Sequence, residues 1–170
     1  MTTAPQLKPY QEKIIALMLK QETLLAKLYQ TFAIKFPVYE ELWKKLAWEE
    51  EKHAGWLEQL RAASEKNVVL FSEGRIKTYT LETFVQSLEE KIKRAETDGF
   101  DARQALVCTI DLERCLIEKN VFSHFEGLTE KASSTMKFLA KETKEHQELA
   151  QNLYAKTLGS RPKDQTPTTP

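Results

Sequence analysis

Four long stretches of this chain repeat apolar residues every three or four positions, and each breaks that stripe near mid-length with a polar, metal-competent side chain. In residues 7–36, Ile15, Met18, Leu25, Tyr29 and Phe32 share a helical face with Glu22. In residues 38–64, Leu42, Leu46, Leu60 and either Trp56 or Leu57 share one with Glu50 and His53. In residues 102–125, Leu106, Ile110, Ile117 and Val121 run through Glu113. A last stretch, ending near 158, places Leu139, Leu153 and either Leu149 or Ala150 with Thr143 and His146. Periodicity of this length predicts helices. With 29% charged residues, five glycines and six prolines in 170 residues, the composition agrees.

The punctuation between these stretches sets the connectivity. Pro37 separates the first two and fits the first turn of a new helix, so they should form an antiparallel hairpin. Residues 65–80 break the pattern, with a short apolar run from Asn67 to Phe71 and a turn at Ser72-Glu73-Gly74. A helix of about fifteen residues should follow, N-capped by Thr80 and ended by Asp98-Gly99. Asp101 can cap the next. Gly127 and Ser133-Ser134 mark a further turn, and Gly159 should stop the last helix. The expectation is an all-α chain of two helical hairpins joined by a long crossover with its own helix. Residues 1–158 would form one domain, and the polar, Pro-rich 159–170 a disordered tail. A single long crossover is the connectivity of ferritin-like four-helix bundles.

Several classes of function are excluded. Lys plus Arg equals Asp plus Glu at 25 each, so no net field recruits nucleic acid or an anionic membrane. No apolar run approaches the roughly 20 residues of a membrane span, and the first residues lack a signal-peptide core, so a cytoplasmic protein is expected. Cys108 and Cys115, two helical turns or about 10 Å apart, cannot pair with each other. No CxxC, GxSxG or phosphate-binding glycine loop occurs.

The chemistry therefore rests on the polar interruptions. A lone ionised carboxylate in a helical core costs several kcal/mol (roughly) unless paired or bound to metal. Glu50 and His53, three apart, point the same way and can grip one ion. One Glu from each of two helices plus Glu-x-x-His from the other two builds a di-iron or di-manganese centre. Here the order is Glu22, Glu50-x-x-His53, Glu113, then a motif ending at His146. LAWEEEKH, ending at His53, also aligns without gaps to LAKETKEH, ending at His146, and pairs Glu49 with Glu142.

Across residues 10–157 the chain resembles the ferritin-like domain of the rubrerythrin family, through QETLLAKLYQTFA, WEEEKHAGWLEQL, IDLERCLIEKNVF and LAKETKEHQELA. The resemblance implies that Glu22, Glu50, His53, Glu113 and His146 fall on metal-ligand positions. It also implies iron, one or two ions with manganese as a substitute, and reduction of peroxide or activation of oxygen. Many members pair with a rubredoxin-like domain; these 170 residues hold no CxxC pair for one, so an external electron donor is expected. The echo exposes one departure: Thr143 stands opposite Glu50, and a threonine hydroxyl is a poor substitute ligand. Three glutamates would leave two divalent ions with excess positive charge in the core. Glu142, one turn before His146, could swing inward, but its spacing is wrong for the usual Glu-x-x-His grip. Tyr29, two turns beyond Glu22, is either a core aromatic or a hydrogen-bond donor near the metal. The alternative is a metal-depleted bundle that binds or senses iron without turnover, or a metal-free one that serves as a dimerising interaction module, with Trp43, Trp48 and Trp56 as aromatic surface. His124, near a helix end, reads as structural or exposed.

Overall fold

The computed structural model describes residues 7–119 and 121–159, with backbone alone at 116–119, 121, 143, 146, 147, 149, 150, 153, 154 and 157–159. Five helices carry most of them: α1 (Pro9–Lys35), α2 (Glu40–Glu65), α3 (Thr78–Glu96), α4 (Ala102–Lys119) and α5 (Glu130–Gly159). Two short strands, β1 (Val69–Phe71) and β2 (Phe125–Gly127), pair antiparallel, with Phe71 opposite Phe125. The 160–170 tail and the side chains of Ile117, Val121, Thr143, His146, Leu149, Ala150 and Leu153 lie outside the described residues.

The α1–α2 hairpin forms as the pattern requires. Pro37 opens a 3-10 turn, Pro37–Tyr39, that runs directly into α2. Cross-links from Gln30 to Glu51 and from Glu12 to Arg61 occur in opposite sequence order, which makes the two helices antiparallel. All six residues expected on the α1 stripe are buried. On α2 the choice between Trp56 and Leu57 falls to Leu57, which is wholly buried, while Trp56 is half-buried. Trp43, expected on the surface, is instead fully buried and packs against Phe32 and Phe36. Its indole N–H donates to Thr109 Oγ1 of α4 at 3.1 Å, which meets the one polar demand of a buried tryptophan.

Helix α3 runs parallel to α1. Lys13, Lys20 and Lys27, seven apart, ion-pair with Glu82, Glu89 and Glu96, also seven apart. These half-exposed pairs set register more than they stabilise. The attachment comes from Leu81, Val85, Leu88, Ile92 and Ala95, a buried stripe in alternating four- and three-residue steps. Thus α1 buries two faces, the second carrying Ile14, Gln21 and Leu28.

Three expected boundaries differ. The third helix begins at Thr78 after an extended Lys77, and Thr80 lies inside its first turn. Asp98 then takes a left-handed φ of 57° and the Gly99 N–H returns to Arg94 O, a glycine-assisted stop. The fourth helix ends at Lys119, not 125. The apolar residues beyond form a 3-10 turn (Val121–His124) and β2, because β1 offers backbone partners there. Ser133 and Ser134 belong to α5, whose start is capped by Thr129 Oγ1 accepting from the Ala132 N–H. Asp101 does cap α4, accepting from the Gln104 N–H at 2.7 Å. His124 is structural: its ring nitrogen meets Ser72 O at 3.0 Å beside the strand pair.

The core divides in two. One apolar cluster joins the C-terminal half of α1 to the N-terminal half of α2, with α3 and α4 (Leu25, Tyr29, Phe32, Trp43, Leu46, Leu88, Leu106). The other joins the opposite halves to β1, β2 and α5 (Ile14, Met18, Leu57, Leu60, Phe71, Phe125, Leu139). In sequence, Glu22 falls between Met18 and Leu25, and Glu50 and His53 between Ala47 and Leu57. A polar layer therefore separates the two clusters.

Candidate metal centre

Glu22, Glu50 and His53 converge in that layer. Each offers a donor atom within 4.8 Å of the others, and all three residues are buried. His53 Nδ1 is 3.1 Å from Glu50 Oε2 and 3.6 Å from Glu22 Oε2. Helical spacing explains the approach: Glu50 and His53 are one turn apart on α2, and Glu22 faces them across the hairpin. Trp56 and Phe122 wall the imidazole, with ring centroids 5.4 Å and 5.6 Å away.

Glu113 is buried beside this trio but differently engaged. The Tyr29 hydroxyl donates to Glu113 Oε1 at 2.7 Å. Glu142, whose spacing is wrong for the usual grip, is engaged elsewhere: Lys52 Nζ holds it at 3.2 Å and Glu49 at 3.1 Å. The two glutamates that match in the sequence echo thus share one ammonium, which also lies 4.3 Å from the Trp48 ring. Ile110 is only half-buried, and α4 presents Ala105, Leu106, Thr109, Leu112 and Glu113 inward. The expected ligand His146 has its side chain outside the described residues.

Electrostatics sort the charges. Burial alone would lower the pKa of His53, but hydrogen bonds to Glu22 and Glu50, with their charges, raise it to about 10. Burial also works against ionised Glu22, yet hydrogen bonds from His53 and Glu50 outweigh it and hold its carboxyl below the usual range. Glu50 goes the other way: burial, helped by the charges of Glu22 and Glu113, holds it well above that range against the pull of His53. Burial lifts Glu113 to about 7, against the Tyr29 hydrogen bond. With no metal, then, burial favours the neutral form of Glu50, while His53 and Glu22 favour each other's charged forms.

The donor set fits a metal. One imidazole nitrogen and two carboxylate oxygens suit iron, manganese or zinc. With the imidazole neutral, the ionised carboxylates of Glu22 and Glu50 would balance the charge of one divalent ion, avoiding the cost of burying uncompensated charge.

No family model, curated protein or solved structure matches this chain. No helix among the described residues is long and apolar enough to cross a membrane.

Sequence reasoning missed Gln21, which is wholly buried and donates its amide to Glu22 Oε1 at 3.2 Å. It lies off the stripe that carries Glu22. The signal was its place seven after Ile14 and seven before Leu28, which becomes visible once α3 is seen to cover that face.

Proposed function

We propose that this chain is a non-haem iron protein of the rubrerythrin type, a ferritin-like four-helix bundle holding one ion with Glu22, Glu50 and His53. The observation that carries this is the convergence of three buried donor atoms within 4.8 Å. Charge balance favours one ion over two: two carboxylates neutralise one divalent cation, whereas three leave two cations in excess. Manganese is the alternative ion for the same donors.

Iron, when bound, would supply the redox change needed to reduce peroxide or activate oxygen, with electrons from a separate donor. The chain's own residues provide the setting. Trp56 and Phe122 keep bulk water from the imidazole. Burial and the neighbouring carboxylates keep the Tyr29 hydroxyl protonated, so it remains a hydrogen-bond donor at Glu113. Glu113, lifted to about 7, can take up or release a proton at working pH.

The test is to load the purified protein anaerobically with ferrous iron, remove unbound metal and count iron per chain. About one iron, lost in Glu50→Ala, supports the reading and justifies a peroxide-reduction assay. About two would bring Glu113 and His146 into the ligand set. No iron, with manganese and zinc also unbound, sinks it and leaves a metal-free bundle used for assembly.

A further inference from the structure

We propose that Gln21 is a positioning residue for this centre, its amide fixing the Glu22 carboxylate so that Oε2 faces His53 and Glu50; this rests on the metal-site reading above. Gln21 is fully buried, yet it sits on the α1 stripe between Ile14 and Leu28, where apolar side chains fill the seam beneath α3. Its Nε2 donates to Glu22 Oε1 at 3.2 Å. Its own Oε1 has no hydrogen-bond partner among the described residues. A buried acceptor left unmade costs about 1–3 kcal/mol, a cost that leucine or methionine would avoid. On packing grounds alone, Gln21 is the wrong residue for the seam.

What it does for Glu22 accounts for its presence. The two carboxylate oxygens have separate tasks: Oε1 takes the Gln21 amide, and Oε2 lies 3.6 Å from His53 Nδ1. Without a donor at Oε1 the carboxylate would be free to rotate its second oxygen off the metal position. Turning the amide over would set two oxygens against each other, so the donating orientation is the chemically consistent one. A donor hydrogen-bonded to a ligating carboxylate orients the ligand and tunes its hold on the metal.

The experiment compares wild type, Gln21→Met and Gln21→Leu by anaerobic titration with Mn(II) and Fe(II), alongside thermal unfolding of the metal-free proteins. Both variants should bind metal about tenfold or more weakly, while their metal-free melting temperatures equal or exceed wild type. In a Glu22→Gln background, Gln21→Met should change affinity less than twofold, because the carboxylate it orients is gone. Wild-type affinity in both variants would overturn the role of Gln21 and leave the metal site standing. So would a lower metal-free melting temperature with an affinity loss that persists in the Glu22→Gln background, which assigns Gln21 to packing. Absence of metal binding by wild type would overturn both readings together.

Discussion

The Tyr29 hydroxyl donates to Glu113 Oε1 across 2.7 Å, tying α1 to α4 within the core. Both residues are buried, so neither could exchange its partner for water at no cost. Tyr29→Phe keeps the ring and removes only the donor. It should destabilise the metal-free protein by about 1–3 kcal/mol, as expected for an unpaired buried acceptor, measured by urea unfolding. An unchanged midpoint would show that Glu113 finds another donor.

Glu113 should also make metal-free stability depend on pH. Its folded pKa of about 7 lies above the 4.5 of an ordinary glutamate. The fold therefore favours the protonated carboxyl, and that contribution is fully present below about pH 4.5. It is lost as pH rises toward 7, on the order of 3 kcal/mol at most. Between pH 5 and 7.5 the melting temperature should fall, and Glu113→Gln, which still accepts from Tyr29, should flatten that decline. A slope unaltered by the substitution would assign the decline to other groups.

Helix α3 is held by its apolar seam and only lightly by its ion pairs. Leu88 is wholly buried, so Leu88→Ala should cost about 2–5 kcal/mol. Lys20, half-exposed in its pair with Glu89, should cost under about 1 kcal/mol as Lys20→Ala. Equal losses on denaturant unfolding would mean that the pairs do more than set register.

Much of this was legible in the sequence because a helical stripe shows its own exceptions. Glu22, Glu50 and His53 stand where apolar residues are due, and they meet. Trp43 was misplaced because its hydrogen bond to Thr109 lies on another helix and leaves no local signal. The end of α4 was overrun because Phe122 and Phe125 continue an apolar pattern while serving a 3-10 turn and a strand. Strands of three residues are too short for alternation to reveal. Gln21 was hidden because one helix cannot announce that a second face is covered; only the arrival of α3 makes it a buried polar residue.

Glu142 should not be a ligand. Its carboxylate is occupied by Lys52, which it shares with Glu49. Glu142→Gln should leave metal stoichiometry unchanged, and elemental analysis after loading checks this. A loss of bound metal would mean that Glu142 leaves Lys52 and turns inward when the ion arrives.

The decisive observation is the position of the metal itself. Crystals grown with Mn(II) or Fe(II), and measured at the absorption edge of that metal, would show by anomalous scattering where it binds. A single strong peak within coordination distance of His53 Nδ1 and one oxygen each of Glu22 and Glu50, about 2.0–2.3 Å, is the expected result. No peak in this layer at saturating metal, with binding confined to surface carboxylates, would contradict the assignment of a metal centre to these three residues.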